Sequence, residues 1–140
     1  MDIIQYNKVL KGHNGRIVTQ FRLGLSPLRN ELFTYNITEN PFCPTCGDHV
    51  ETLSHFLFTC VSYSAQRIIF MNDINSLINA VNISSNLSLV FTDLTVLTHL
   101  ITHGVYLPMA DSDTNYLVNS RLFNIVSKYI SSTSRFKNIS

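Results

Sequence analysis

Charge is scarce in this chain and tryptophan is missing altogether: 14% of its 140 residues are charged, whereas 45% are apolar. So apolar and weakly charged a composition excludes a disordered or acidic-solvating segment, and the chain is expected to fold. Long hydrophobic runs are lacking too, and nothing approaches the roughly 20 apolar residues of a membrane-spanning helix. The opening residues MDIIQYNKVLK place Asp2 at the start and never build the apolar stretch of a secretory leader, so the reading is an intracellular protein without membrane association.

The signatures of independent catalysis are equally absent. The five glycines are scattered, so no phosphate-cradling glycine loop forms, and there is no serine nucleophile elbow. The nine acids never cluster beyond Asp111-Ser112-Asp113, which reads as helix capping and not as a magnesium site. No enzyme activity and no small-molecule substrate are expected.

What charge exists is unevenly placed. Residues 1–30 carry Lys8, Lys11, Arg16, Arg22 and Arg29 against Asp2 alone, and residues 121–140 carry Arg121, Lys128, Arg135 and Lys137 with no acid. Between them, residues 71–120 hold four acids and neither lysine nor arginine. Two positive segments therefore bracket a neutral to acidic middle, and they suit either solvated helix faces or a footprint for a polyanion.

Apolar spacing predicts a mostly α protein. Ile17, Val18, Phe21 and Leu25 mark a short helix entered through His13-Asn14-Gly15, and Ser26-Pro27 reads as N-cap and first helical position of a second, ending near Asn36. The run NPFCPTCG at 40–47 is turn chemistry, with at most a small hairpin around it. A helix follows from Glu51 towards Cys60, and a longer one from about Ser62 carries Phe70, Ile74, Leu77, Ile78 and Val81, with a possible kink at Asn72-Asp73. Leu94, Leu97, Leu100 and Ile101 mark a helix that stops at Gly104; Val118, Leu122, Ile125, Val126 and Tyr129 mark the last. The expected organisation is a zinc-knuckle region over 1–70 and a helical extension over 71–140, with a linker at about 82–91.

All three cysteines fall between positions 43 and 60: Cys43-x2-Cys46, eight residues to His55, then four to Cys60. This is the spacing of a CCHC zinc site. The Cys-Pro-Thr-Cys-Gly turn can aim backbone amides at thiolate sulfurs, and Gly47 can take a positive φ. His55 and Cys60 lie roughly 140° apart on an ideal helix, so the helix has to fray or bend before Cys60 if both are to reach one ion. The alternative is three buried thiols beside an unrelated histidine. His49, three residues after Cys46, would strain the chelate and is expected on the surface. His99 and His103 share a helical face but lack a metalloprotease glutamate, and a surface role is expected, with the helix C-terminus favouring the charged form of His103.

The runs Phe21-Arg22-Leu23-Gly24-Leu25, Phe42-Cys43-Pro44-Thr45-Cys46-Gly47 and Glu51-Thr52-Leu53-Ser54-His55-Phe56-Leu57-Phe58-Thr59-Cys60, followed by Tyr63 and Arg67, resemble the zinc-binding region near the C-terminus of non-LTR retrotransposon reverse transcriptases. The resemblance covers most of the chain and is strongest over 16–67. It implies that Cys43, Cys46, His55 and Cys60 ligate a structural Zn2+ and that the module assists a parent polymerase in handling RNA or DNA. The polymerase palm with its paired aspartates and the endonuclease domain are absent, so the chain looks like a C-terminal piece of such a polyprotein. Two functions follow as expectations. One is a zinc-stabilised nucleic-acid-binding module with Lys8, Lys11, Arg16, Arg22, Arg29 and Arg67 on phosphates and Tyr35 or Phe42 stacking on bases. The other is a structural or protein-interaction module, or a remnant without function, whose apolar surface once met other domains of the polyprotein.

Overall fold

The computed structural model describes residues 6–85, 93–108 and 110–137. The fold is mostly α: helices α1 (Gly12–Leu23), α2 (Arg29–Thr34), α3 (Ser64–Ser85), α4 (Leu94–His103) and α5 (Ser112–Thr133), with a π turn at His55–Thr59 and a 3-10 turn at Val61–Tyr63 ahead of α3. Among the described residues, β pairing is confined to the antiparallel bridge between Phe42 and Val50.

Helix α1 starts at Gly12, two residues before the predicted entry, and buries Ile17, Val18 and Phe21. It stops at Gly24, whose φ of 69° lets the chain reverse so that the Leu25 N–H reaches the Gln20 carbonyl at 3.0 Å. Leu25, placed on the helical stripe by spacing, lies beyond this stop and is exposed. Helix α2 begins at Arg29 and not at Pro27, because its first amides are capped from elsewhere in the chain. The Glu51 carboxylate accepts from the Arg29 N–H at 2.8 Å, and the Glu51 carbonyl accepts from the Asn30 N–H at 3.2 Å. Ser26 donates to Glu31 from its hydroxyl at 2.8 Å and from its N–H at 2.7 Å, and its hydroxyl oxygen accepts from the Leu28 N–H, ahead of the helix, at 3.3 Å.

The two long helices α3 and α5 pack against each other over the most extensive interface in the fold. Phe70 and Tyr129 stack at its centre with ring centroids 4.5 Å apart. Helix α3 runs unbroken through Asn72-Asp73 and continues to Ser85, so the first part of the predicted linker is helical; the rest, from residue 86 on, lies outside the described residues. Both α4 and α5 start on aspartate caps: Asp93 accepts from the Thr95 N–H at 2.8 Å and Asp111 from the Thr114 N–H at 2.7 Å. Helix α4 buries Leu97 and Ile101, while Leu94 stays exposed.

Between α4 and α5 the chain is extended, and the buried amides of Asn115 and Asn119 take the place of a neighbouring strand. Asn119 accepts from the Val105 N–H at 2.7 Å and donates to the Val105 carbonyl at 2.8 Å; Asn115 does the same for Leu107 at 2.8 and 3.1 Å. These four bonds supply partners for the buried backbone groups of Leu107 and the partly buried ones of Val105. At Gly104 the backbone comes so close to Tyr6 that an added Cβ would lie 2.6 Å from a ring carbon.

Candidate metal centre

The knuckle is a tight hairpin closed by two ladder bonds, Cys43 N–H to the His49 carbonyl at 2.8 Å and Glu51 N–H to the Pro41 carbonyl at 2.9 Å. At its tip Gly47 takes the expected positive φ, 73°, and its N–H returns to the Cys43 carbonyl at 2.9 Å. The turn thereby points Cys43 and Cys46 to one side. His55 and Cys60 arrive from the following segment. Thr52 opens it by accepting from the His55 N–H at 3.1 Å.

The helical turn ends at Cys60, as expected, with that residue in extended backbone, but it widens before it does so. Residues His55–Thr59 form a π turn, and the Cys60 N–H reaches the carbonyl of His55, five residues back, at 2.9 Å. A wider turn removes most of the angular separation that an α-helix would put between residues five apart, so both side chains face the knuckle. Arg67 holds this turn in place, donating to the carbonyls of Leu57 at 3.2 Å and Cys60 at 2.7 Å. Behind it Phe56 is enclosed by the rings of Phe21, Tyr63, Tyr129 and Phe136, with centroids 5.2 to 6.1 Å away.

The four candidate ligand atoms, the sulfurs of Cys43, Cys46 and Cys60 and a ring nitrogen of His55, all lie within 4.8 Å of one another. A tetrahedron with zinc–sulfur bonds of about 2.3 Å has sulfur–sulfur edges of about 3.8 Å. Cys43 and Cys60 are 3.8 Å apart at sulfur, and Cys46 Sγ is 3.5 Å from His55 Nε2. These are two opposite edges of such a tetrahedron, and the residues present fit a metal ion. The three cysteines are free thiols, two of them buried. Four protein ligands leave no open coordination position, which is the pattern of a structural site.

The surroundings act on these side chains in opposite directions. Burial pushes the Cys43 thiol up, against the backbone amide of Cys46 and the hydroxyl and amide of Thr45, while the Glu51 carboxylate adds to the rise. Cys60 moves the other way: burial opposes its thiolate, but hydrogen bonds from the Ser62 amide and hydroxyl and from Thr45 outweigh it. The pair is thus linked through Thr45, whose hydroxyl lies 3.1 Å from Cys43 Sγ and 3.7 Å from Cys60 Sγ. Burial, followed by the charge of neighbouring His49, lowers the pKa of His55 and keeps its imidazole neutral, as a ligand must be. Its Nδ1 faces the Thr59 hydroxyl at 3.2 Å, and that hydroxyl donates to the His55 carbonyl at 3.5 Å. In the Nδ1–H tautomer the Thr59 oxygen is the acceptor and the Nε2 lone pair faces Cys46.

His49 is exposed and stacks on His55 with centroids 5.5 Å apart, outside the group of four. His99 and His103 stack at 4.3 Å on α4. Against the expected preference of the helix terminus for a charged His103, burial first and the His99 ring second lower its pKa. The six basic side chains read as phosphate contacts divide. Lys8, Lys11 and Arg16 are exposed and Arg29 is half-buried. Arg22 instead donates inward from Nε to the Thr102 carbonyl at 2.8 Å and from Nη1 to Asn7 at 2.7 Å, and Arg67 braces the π turn. An isolated arginine reads the same in sequence whether it faces water or a buried carbonyl.

Glu51 and Arg135 went unnoticed in the sequence as parts of the site. Glu51 is fully buried 3.9 Å from Cys43 Sγ, and Arg135 closes on it with two hydrogen bonds, Nη2 to Oε1 at 2.7 Å and Nε to Oε2 at 2.8 Å. Their 84 positions of separation hide the pairing from any local pattern. No helix among the described residues is long and apolar enough to cross a membrane. No family model matches the chain, and no curated protein or solved structure matches it either.

Proposed function

We propose that the chain is a zinc-stabilised nucleic-acid-binding module of the kind found near the C-terminus of non-LTR retrotransposon reverse transcriptases. The observation that carries the metal part is the convergence of Cys43, Cys46, His55 and Cys60 within 4.8 Å, with two edges at tetrahedral length. Three thiolates and an imidazole suit Zn2+ in a closed, structural site, and the ion supplies a cross-link between the hairpin and the π turn. The reading carries no catalytic step.

The nucleic-acid part is supported by the way the fold joins the two basic ends of the chain. Lys11 and Lys137 line one cleft of about 610 Å³ together with His13, Asn14, Ser127 and Ser131, and no carboxylate lines it. Lys8 and Arg16 are exposed nearby in sequence, and Tyr35 and Phe42 are half exposed, available for stacking. With Arg22 and Arg67 committed inside the protein, four phosphate contacts from Lys8, Lys11, Arg16 and Arg29 give a log–log salt slope of about −3 to −4. Metal content by native and denaturing mass spectrometry, with binding of a single-stranded oligonucleotide titrated against salt, tests both parts. One zinc per chain and that slope support the reading; a salt-independent signal removes the nucleic-acid half.

One observation favours a protein-interaction module instead. Phe33, Tyr35, Ile37, Phe42 and Val50, on α2, the segment that follows it and the hairpin, are all more than a third exposed. Concentration-dependent self-association without oligonucleotide binding is the outcome that selects this second reading.

A further inference from the structure

The turn after α5 brings Arg135 and Phe136 back to the knuckle. Phe136 is buried against Phe21 and Phe56, with centroids 5.8 and 5.2 Å away. Arg135 seats its guanidinium on both oxygens of Glu51 and also donates to the Pro27 carbonyl at 3.2 Å; its side chain is 9% exposed and that of Glu51 is 0% exposed. The carboxylate so held also receives the Arg29 amide that starts α2 and faces Cys43 Sγ.

Charge counting gives this pair a role beyond packing. A divalent ion with three thiolates and a neutral imidazole carries one net negative charge, since thiolates must be deprotonated to ligate. A second negative charge, that of Glu51, stands beside it in an interior that screens poorly. Among the groups that contact Glu51, the opposing formal charge is that of Arg135. Remove it, and the carboxylate opposes the negatively charged centre and is free to leave its place, taking the hairpin's second strand with it.

We propose that Arg135 is a positioning residue for the metal centre and that residues 134–137 are a latch, whose docking and the site's metal occupancy strengthen each other. The proposal rests on the metal reading above. Linkage makes the effect reciprocal: whatever factor the docked turn adds to zinc affinity, zinc adds to docking. Loss of an outer partner of a metal ligand typically weakens affinity about 10- to 100-fold; Glu51 is that partner of Cys43, and R135Q, acting through it, is expected to weaken zinc binding about 10-fold, the lower end of the range.

The test measures zinc affinity by chelator competition in the full chain and in R135Q, R135K and the double variant E51Q/R135Q, with helicity followed alongside. R135Q is expected to bind weakest, R135K in between because it keeps the charge without the fork, and E51Q/R135Q to regain part of the loss because no unpaired carboxylate remains. Amide exchange at residues 134–137 is expected to speed up when zinc is stripped from the wild type. R135Q with wild-type helicity and wild-type zinc affinity overturns the proposal, as does exchange at 134–137 that ignores zinc. Should R135Q fail to fold, R135K and the double variant decide it, and wild-type affinity in both overturns it. A wild-type chain that takes up no zinc removes the metal reading itself, and the latch with it; zinc uptake indifferent to Arg135 removes the latch alone.

Discussion

The hydroxyl of Tyr129 on α5 donates to the carbonyl of Phe56 inside the π turn at 2.6 Å, across 73 positions of chain. The Phe56 carbonyl, within the π turn, thereby takes its partner from α5. Burial pushes the Tyr129 phenol up to about 12, so it remains a donor at any physiological pH. The long helix that closes the core thereby also holds the turn carrying His55 and Cys60. Y129F keeps the ring stacked on Phe70 and strips this bond together with the longer one the hydroxyl accepts from Arg67 Nη2 at 3.5 Å; its unfolding free energy in urea should fall by about 1–2 kcal/mol, chiefly the cost of one buried unsatisfied acceptor.

Ligand substitutions should sort by geometry and not by residue type. H55A and C60A each remove one corner of the tetrahedron and are expected to abolish stoichiometric zinc with similar loss of structure over residues 40–62. H49A, removing a ring that only stacks on His55, should retain one zinc per chain. Mass spectrometry with helicity before and after chelator checks all three; zinc loss in H49A would show that the set of four is wrong.

The asparagine ladder makes a prediction independent of metal. N119A strands both the N–H and the carbonyl of Val105, which are partly buried, and should lower stability by about 1–3 kcal/mol. N124A, one turn further along and exposed, should change it by less than about 0.5 kcal/mol. Equal effects in urea titrations would contradict the strand-like role of Asn119.

Acid should destabilise the fold through histidine. His103, outside the metal centre, has its pKa lowered by burial and then by His99. Below the ordinary histidine value of about 6.5, the unfolded chain takes up protons that the folded chain refuses. Stability is therefore full above that value and declines as pH falls through it towards the folded pKa. Thermal unfolding at pH 7.5 and 5.5 under constant zinc should show the decline, and H103Q should show less of it. A histidine variant with an unchanged pH difference would remove this assignment.

Much of this was legible locally. The cysteine spacing, the glycine at the turn tip and the aspartates at the heads of α4 and α5 each express a short-range rule, in which one residue's conformational freedom or hydrogen-bonding capacity acts within a few positions. The apolar periods found the helices for the same reason. The boundaries failed where the partner came from afar: Ser26 is a good cap by type, yet the start of α2 is set by Glu51, which no local preference reveals.

By itself, then, the sequence determined the helical class and the identity of the four metal-competent side chains, because helix periodicity and chelate spacing are properties of neighbours along the chain. The tertiary structure alone decided that the helix widens into a π turn to bring Cys60 round, that Arg22 and Arg67 face inward, and that Arg135 closes on Glu51. Those outcomes depend on which buried polar groups must be satisfied, and that demand arises only once distant segments have excluded water from one another.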